Sequence, residues 1–230
     1  MPILDAHDHE FVTDTAPDGN PRGAVLRITL VVDLNITGGV LVLPGGKPNS
    51  MQRSRRWQLA HLRMALLAWT LRRHLPRHVE VRRVRYRLRG WNPDRLDALR
   101  DARVALDDLL THFDPKDVVV VGHSMGARVA AHLAASGDVG AVVALAPWWP
   151  EGDGDLIPPG RRLLTMHGTS DTWTDPVAAR LQTERASTRG VDARWLPVAG
   201  AGHFLIGNYH LWHRTIADFA MAHWSARSAP

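Results

Sequence analysis

The sequence predicts an α/β fold: a mainly parallel sheet with helices on both faces. Two observations carry that expectation. Short apolar runs alternate along the chain with longer segments of helical spacing. At 230 residues, the chain is the right size for one domain with a substantial core. A third observation concerns function. One apolar run passes through a Gly-x-Ser-x-Gly turn directly into a helical segment.

The elements follow in order. Residues 1–23 are polar, end in a Pro/Gly-marked stretch, and read as an N-terminal extension to a single domain spanning 1–230. His7, Asp8 and His9 within it lack a third ligand at a motif spacing, so no metal is expected there. Strands are expected at 24–32, 39–46, 79–88, 117–122, 141–147, 161–168 and 191–198, where Val- and Leu-rich runs are bounded by Gly, Pro or Asp. Helices are expected within 52–75, 93–112, 125–136, 175–189 and 209–225. Leu59, Leu62, Ala65, Leu66 and Trp69 mark an apolar face in the first, and Leu96, Leu99, Ala102, Leu106 and Leu109 one in the second. Strands alternating with helices imply a mainly parallel sheet covered on both faces. The stretch 82–89 fits poorly, because Arg83, Arg85, Arg87 and Arg89 alternate with Val84, Tyr86 and Leu88. A solvated arginine face is the expectation there, ahead of an anion site.

Composition excludes several functions. With no cysteine, the chain has no disulfide, no thiolate nucleophile and no Cys-based zinc site. The net charge is +5, yet only Lys47 and Lys116 are lysines. That is read as a chain-wide preference for Arg, and no nucleic-acid partner is expected. The first residues show neither the basic nor the apolar region of a signal peptide. No apolar run approaches the roughly 18 residues of a membrane span. A cytoplasmic location is the expectation.

The chemistry starts at Gly122-His123-Ser124-Met125-Gly126. Lying between the run 118–121 and the helical segment from 125, it has the strand–turn–helix setting of a nucleophile elbow. The turn is so tight that a Cβ at either flanking position would clash. A plain βα turn whose serine caps the helix is the alternative. A serine needs a base, and the base an orienting acid. Asp171 follows the strand 161–167, and His203 follows a Gly-rich turn after 191–198. Both sit at carboxyl ends of strands, where open α/β sheets place their sites. Asp175 stands before Pro176 and suits a helix N-cap better than a triad acid.

The segments VVVVGHSMGA, HGTSD and AGAGHF, in this order, resemble the α/β-hydrolase superfamily, especially its small esterases and lipase-like members, over about residues 39–225. The resemblance implies the three-layer α/β-hydrolase fold, with Ser124, Asp171 and His203 as the catalytic triad. It also implies an oxyanion hole built from the backbone N–H of Met125 and one from the loop after 39–43. Gly46 is the candidate for that second donor, with Lys47 the alternative. Where many relatives have His-Gly, this chain has Pro44-Gly45, which leaves a backbone donor possible. The Cys nucleophile usual among dienelactone hydrolases and the Asp nucleophile of haloalkane dehalogenases are both excluded by Ser124.

The expected activity is hydrolysis of a small-molecule ester or thioester through an acyl-enzyme, without metal or organic cofactor. An amidase or peptidase with the same triad is one alternative, and a non-catalytic binding protein of the same fold is another. No cap domain is expected, because the fourteen residues 147–160, rich in Pro and Gly, are too few for a helical lid. An open cleft rimmed by Trp91, Trp148, Trp149, Trp173 and Phe204 follows, with core packing the competing role for at least one of Trp148 and Trp149.

Overall fold

The computed structural model describes residues 37–150, 152–207 and 209–228. The expected strand 24–32, the extension 1–23 and the His7-Asp8-His9 cluster lie outside the described residues.

Six strands form one sheet: β1 (Gly38–Leu43), β2 (Val79–Arg83), β3 (Val118–His123), β4 (Ala141–Leu145), β5 (Arg162–Gly168) and β6 (Asp192–Val198). Their order is β2-β1-β3-β4-β5-β6, and every pairing is parallel. Five α-helices connect or follow them: α1 (Leu59–His74), α2 (Asp97–Leu110), α3 (Met125–Ala134), α4 (Pro176–Thr188) and α5 (Tyr209–Ser228). The period of two along a strand explains why Val118–Val121 of β3 are all apolar. Val118 and Val120 enter a core shared with α2 and α3, while Val119 and Val121 enter a second core shared with α1 and α5. Both faces are covered, and no separate cap domain is present among the described residues.

Two expectations are corrected. The apolar stripe of α1 read from the sequence faces outward: Leu59 is 70% exposed and Trp69 53%, with Leu62 and Leu66 also exposed. The buried face is instead Met64, Leu67, Ala68 and Leu71. The helix is apolar almost all round, so periodicity offers two stripes, and packing on the sheet and on α5 selects between them. His61 and Thr70 on this face find partners, whereas the buried Nη atoms of Arg63 have none among the described residues and lie over the Phe204 ring. His61 meets the Ser54 hydroxyl at 2.6 Å, and Thr70 meets His213 at 3.0 Å.

The strand expected at 79–88 ends at Arg83. Beyond it the chain runs against residues 47–54 through Lys47 N–H to the Arg89 carbonyl (2.8 Å), Ser54 N–H to the Arg87 carbonyl (3.0 Å) and Arg89 N–H to the Gln52 carbonyl (2.9 Å). For the same reason α1 begins at residue 59 rather than near 52. This small wall, with Tyr86 buried behind it, flanks the carboxyl ends of β1 and β3.

Candidate active site

The turn after β3 is as tight as its sequence implies. Ser124 has φ 55° and ψ −117°, a backbone conformation that side-chain-bearing residues rarely adopt. Such strain costs about 1–3 kcal/mol and persists only where neighbours enforce it. The enforcement is visible in the glycines. A Cβ on Gly122 would lie 2.2 Å from the Gly126 carbonyl oxygen, and one on Gly126 would lie 2.4 Å from the Leu43 carbonyl oxygen. The backbone N–H of Ser124 donates to the Leu145 carbonyl at 2.9 Å, fixing the turn to β4.

Asp171 lies three residues beyond β5 and is buried, and its carboxylate is densely hydrogen-bonded. Oδ2 accepts from His203 Nδ1 (2.9 Å), His167 Nε2 (2.9 Å) and the Thr174 hydroxyl (2.8 Å). Oδ1 accepts from the backbone N–H groups of Trp173 (2.8 Å) and Thr174 (3.2 Å). Burial alone would raise its pKa. The hydrogen bonds, that from His203 first, outweigh burial and bring it down to about 2. Because a carboxylate can only accept, both histidines present N–H to it. His203 therefore carries its proton on Nδ1, leaving Nε2 free to act as a base.

The acid limb of stability follows from this. A carboxyl with a folded pKa of about 2 against 3.8 unfolded stabilises the fold above pH 4, and that stability is lost as pH falls from about 4 toward 2. The expected contribution is on the order of 2 kcal/mol. Urea midpoints of wild type and Asp171→Asn should converge between pH 4 and pH 2; parallel curves over that range would refute the depressed pKa.

His203 sits on a scaffold of rings and backbone. Trp173 stacks on it, with centroids 5.3 Å apart at 18°. His123 Nε2 donates to its carbonyl oxygen at 2.9 Å. That bond leaves His123 Nδ1 as an unpartnered acceptor, and burial pushes the His123 pKa well below its ordinary value. Ser124 and His203 line one cavity of about 380 Å³, together with Gly45, Gly46, Trp173 and Phe204. The Ser124 hydroxyl is not hydrogen-bonded to His203 in this structure; catalytic hydrogen bonds commonly tighten only around substrate.

The two oxyanion candidates are also distinguishable. The Lys47 N–H is committed to the Arg89 carbonyl at 2.8 Å, whereas Gly46 makes no backbone hydrogen bond among the described residues. Gly46 could carry no side chain, since its Cβ would fall 2.5 Å from both the Arg89 carbonyl oxygen and the Met125 sulfur. Met125 opens α3, where backbone N–H groups lack intrahelical partners.

The expected aromatic rim divides. Trp173 and Phe204 line the cavity; Trp91, Trp148 and Trp149 do not. Trp91 is 2% exposed and packs with Arg128 and His132. Trp149 is buried, its indole N–H donating to the Ala127 carbonyl at 3.2 Å. Trp148 lies over Arg128, facing a neighbouring depression. The short segment after β4 folds back on α3, which engages Trp148 and Trp149 there. None of the described residues between 147 and 160 lines the cavity. Asp175 caps α4, accepting from the N–H groups of Val177 (2.8 Å) and Ala178 (3.1 Å).

Sequence reasoning missed His167, His123, Thr174 and Tyr86. The only available signal for His167 was its place four residues before Asp171 across a strand end, which is weak among thirteen histidines. No described group of three or more His, Asp or Glu side chains could hold a metal ion, and no described helix is long and apolar enough to cross a membrane.

Comparison with known proteins agrees with this architecture. The model of the alpha/beta hydrolase family matches residues 40–229, and the chain belongs to that family. A protein of unknown function from Agrobacterium tumefaciens superposes with a TM-score of 0.66 at 18% identity, covering 84% of this chain and 88% of its own. Est1E from Butyrivibrio proteoclasticus gives 0.57 at 12% identity, with 82% and 89% covered. An alpha-beta serine hydrolase homologue from Coxiella burnetii gives 0.55 at 19% identity, with 81% and 84% covered. A search of curated proteins finds no match.

Proposed function

We propose that this protein is a serine hydrolase that cleaves an ester or thioester through an acyl-enzyme. The observation that carries the reading is the Asp171–His203 hydrogen bond of 2.9 Å on the wall of the cavity that Ser124 enters from a strained turn. Family membership supports hydrolytic chemistry.

In the proposed reaction His203 Nε2 takes the Ser124 proton as the oxygen attacks the acyl carbon. The resulting oxyanion lies between the N–H groups of Gly46 and Met125, aided by the N-terminal end of α3. His203 passes the proton to the departing alcohol or thiol. A water then gives its proton to His203 and its hydroxyl to the acyl carbon, Ser124 recovers its proton, and the acid leaves. Asp171 stays ionised throughout and holds the imidazole. None of these steps calls for a cofactor.

A fluorophosphonate probe tests the central assignment. The wild type is expected to be labelled at Ser124, with labelling abolished in Ser124→Ala. A folded wild-type protein that resists labelling would favour a binding role instead.

His167 is read as a positioning residue. It donates to the same carboxylate oxygen as His203 and is fully buried, and burial keeps it neutral by lowering its pKa. Removing that donor leaves the carboxylate charge less compensated, so it should pull harder on the His203 proton. His167→Leu is expected to lower kcat about tenfold, from the loss of a hydrogen bond to a charged group. The acid limb of kcat/KM should also move to higher pH. An unmoved limb with normal kcat would show that His167 merely packs.

A further inference from the structure

The cavity of Ser124 continues into a second cleft, the two sharing Gln58 and Arg89. Lys47 lines the first beside Arg89; Arg53 and Arg55 line the second. No Asp or Glu lines either. The imbalance is written in the chain: between Asp33 and Glu80 there are eight Lys and Arg residues and not one acid. Three of those eight, Lys47, Arg53 and Arg55, line the two clefts together with Arg89.

Among the described residues many arginines elsewhere meet carboxylates, although others, such as Arg72, Arg77, Arg83, Arg85 and Arg161, do not. Arg87 pairs with Asp101 at 2.6 Å, Arg103 with Asp138 at 2.6 Å and Arg128 with Asp153 at 2.7 Å. Lys47, Arg53, Arg55 and Arg89 have no such partner among the described residues. Among the alternating arginines of 82–89, Arg87 is solvated as expected, and it is also ion-paired. Arg89 is half-buried and held by Gln52, its Nη1 donating to Oε1 at 2.9 Å.

An independent observation comes from the cavity wall. Tyr86 is 4% exposed and lines the cavity, yet its hydroxyl has no partner. The same holds for His123 Nδ1. Of the nine buried unpartnered polar atoms among the described residues, these two belong to residues that line this cavity, and the Tyr86 hydroxyl is the one that can donate to an anionic ligand. Like charges gathered without counter-charges repel each other, and a bound anion relieves that repulsion.

We propose that the site takes an ester or thioester carrying a second, anionic group, a carboxylate or phosphate set several atoms from the scissile carbonyl. Arg89 and Lys47 hold the anion, with Arg53 and Arg55 extending the field along the outer cleft. The anion is a spectator, and the bonds made and broken are those of the hydrolysis above. The kinetic arm of the test rests on that hydrolase reading; the binding arm does not.

In the kinetic arm, 4-nitrophenyl hydrogen glutarate is compared with 4-nitrophenyl butyrate, and 4-acetoxybenzoate and 4-acetoxyphenyl phosphate with methyl 4-acetoxybenzoate. These pairs place the anion on the acyl or the leaving side and separate carboxylate from phosphate. At least one anionic ester should exceed its neutral counterpart about tenfold in kcat/KM at low ionic strength, as one charge-assisted hydrogen bond supplies. The advantage should shrink in 0.5 M salt. Arg89→Gln should bring the charged-to-neutral ratio to about one, and Arg89→Lys should keep part of it. If the wild type hydrolyses these esters and prefers no anionic one, or if Arg89→Gln leaves the ratio unchanged, the proposal is overturned.

In the binding arm, Ser124→Ala protein is titrated with 4-hydroxybenzoate, 4-hydroxyphenyl phosphate and monomethyl glutarate by tryptophan fluorescence. Salt-sensitive binding that disappears on adding Arg89→Gln supports the anion site even if the wild type hydrolyses none of the esters. Absence of binding by all three anions overturns it.

Discussion

Ser124→Ala is expected to reduce ester hydrolysis by about 10⁴-fold or more while leaving the fold unchanged. The two halves of that expectation have separate causes. Activity falls because the hydroxyl is the only group in the cavity positioned both at the elbow and beside His203. Stability holds because Ala keeps the Cβ, and because the Ser124 side chain caps nothing in α3. If the turn were an ordinary βα connection, the same substitution would leave hydrolysis near the wild-type level, so the experiment separates the two readings. Ser124→Gly sharpens the contrast. Glycine adopts φ 55° without strain, so it should stabilise the protein by about 1 kcal/mol while also abolishing activity. A rise in urea midpoint accompanied by loss of turnover is the signature of a residue kept for chemistry at a cost in stability.

What was legible in the sequence was what is decided locally. The β3–Ser124–α3 unit is specified by a Val run, two glycines that exclude a Cβ, and a small-residue helix, all within seventeen residues of chain from 118 to 134. The positions of Asp171 and His203 follow from strand ends. What failed was decided by packing between distant segments. The outward stripe of α1 is as apolar as the buried one, so only contact with the sheet and α5 could choose between them. Trp91 and Trp173 are the same residue type in comparable loops, yet one is stacked under Arg128 and the other over His203. Arg87 and Arg89 are two residues apart in a repeating pattern; what distinguishes them is Asp101, fourteen residues beyond Arg87. His167 became visible as a partner of Asp171 only when the turn after β5 closed.

The second large effect expected is at the acid. Asp171→Asn should lower kcat by about 10³–10⁴-fold. The physical reason is tautomeric. Oδ2 now accepts N–H from His203 and from His167 together. If the new amide nitrogen takes that position, it is a donor facing donors. His203 must then carry its proton on Nε2, the atom that has to accept from Ser124. If the amide oxygen takes it instead, the nitrogen meets the backbone N–H groups of Trp173 and Thr174, and the turn that sets His203 is disturbed. Either orientation breaks part of the array, so the loss does not depend on which is adopted. Asp175→Ala is the control. Asp175 accepts the first N–H groups of α4 and touches neither histidine, so its removal should cost about 1 kcal/mol of stability, with kcat within a few-fold of wild type. Steady-state kinetics and urea denaturation on both variants decide the matter: a protein crippled by Asp175→Ala but active as Asp171→Asn would have its orienting acid at residue 175.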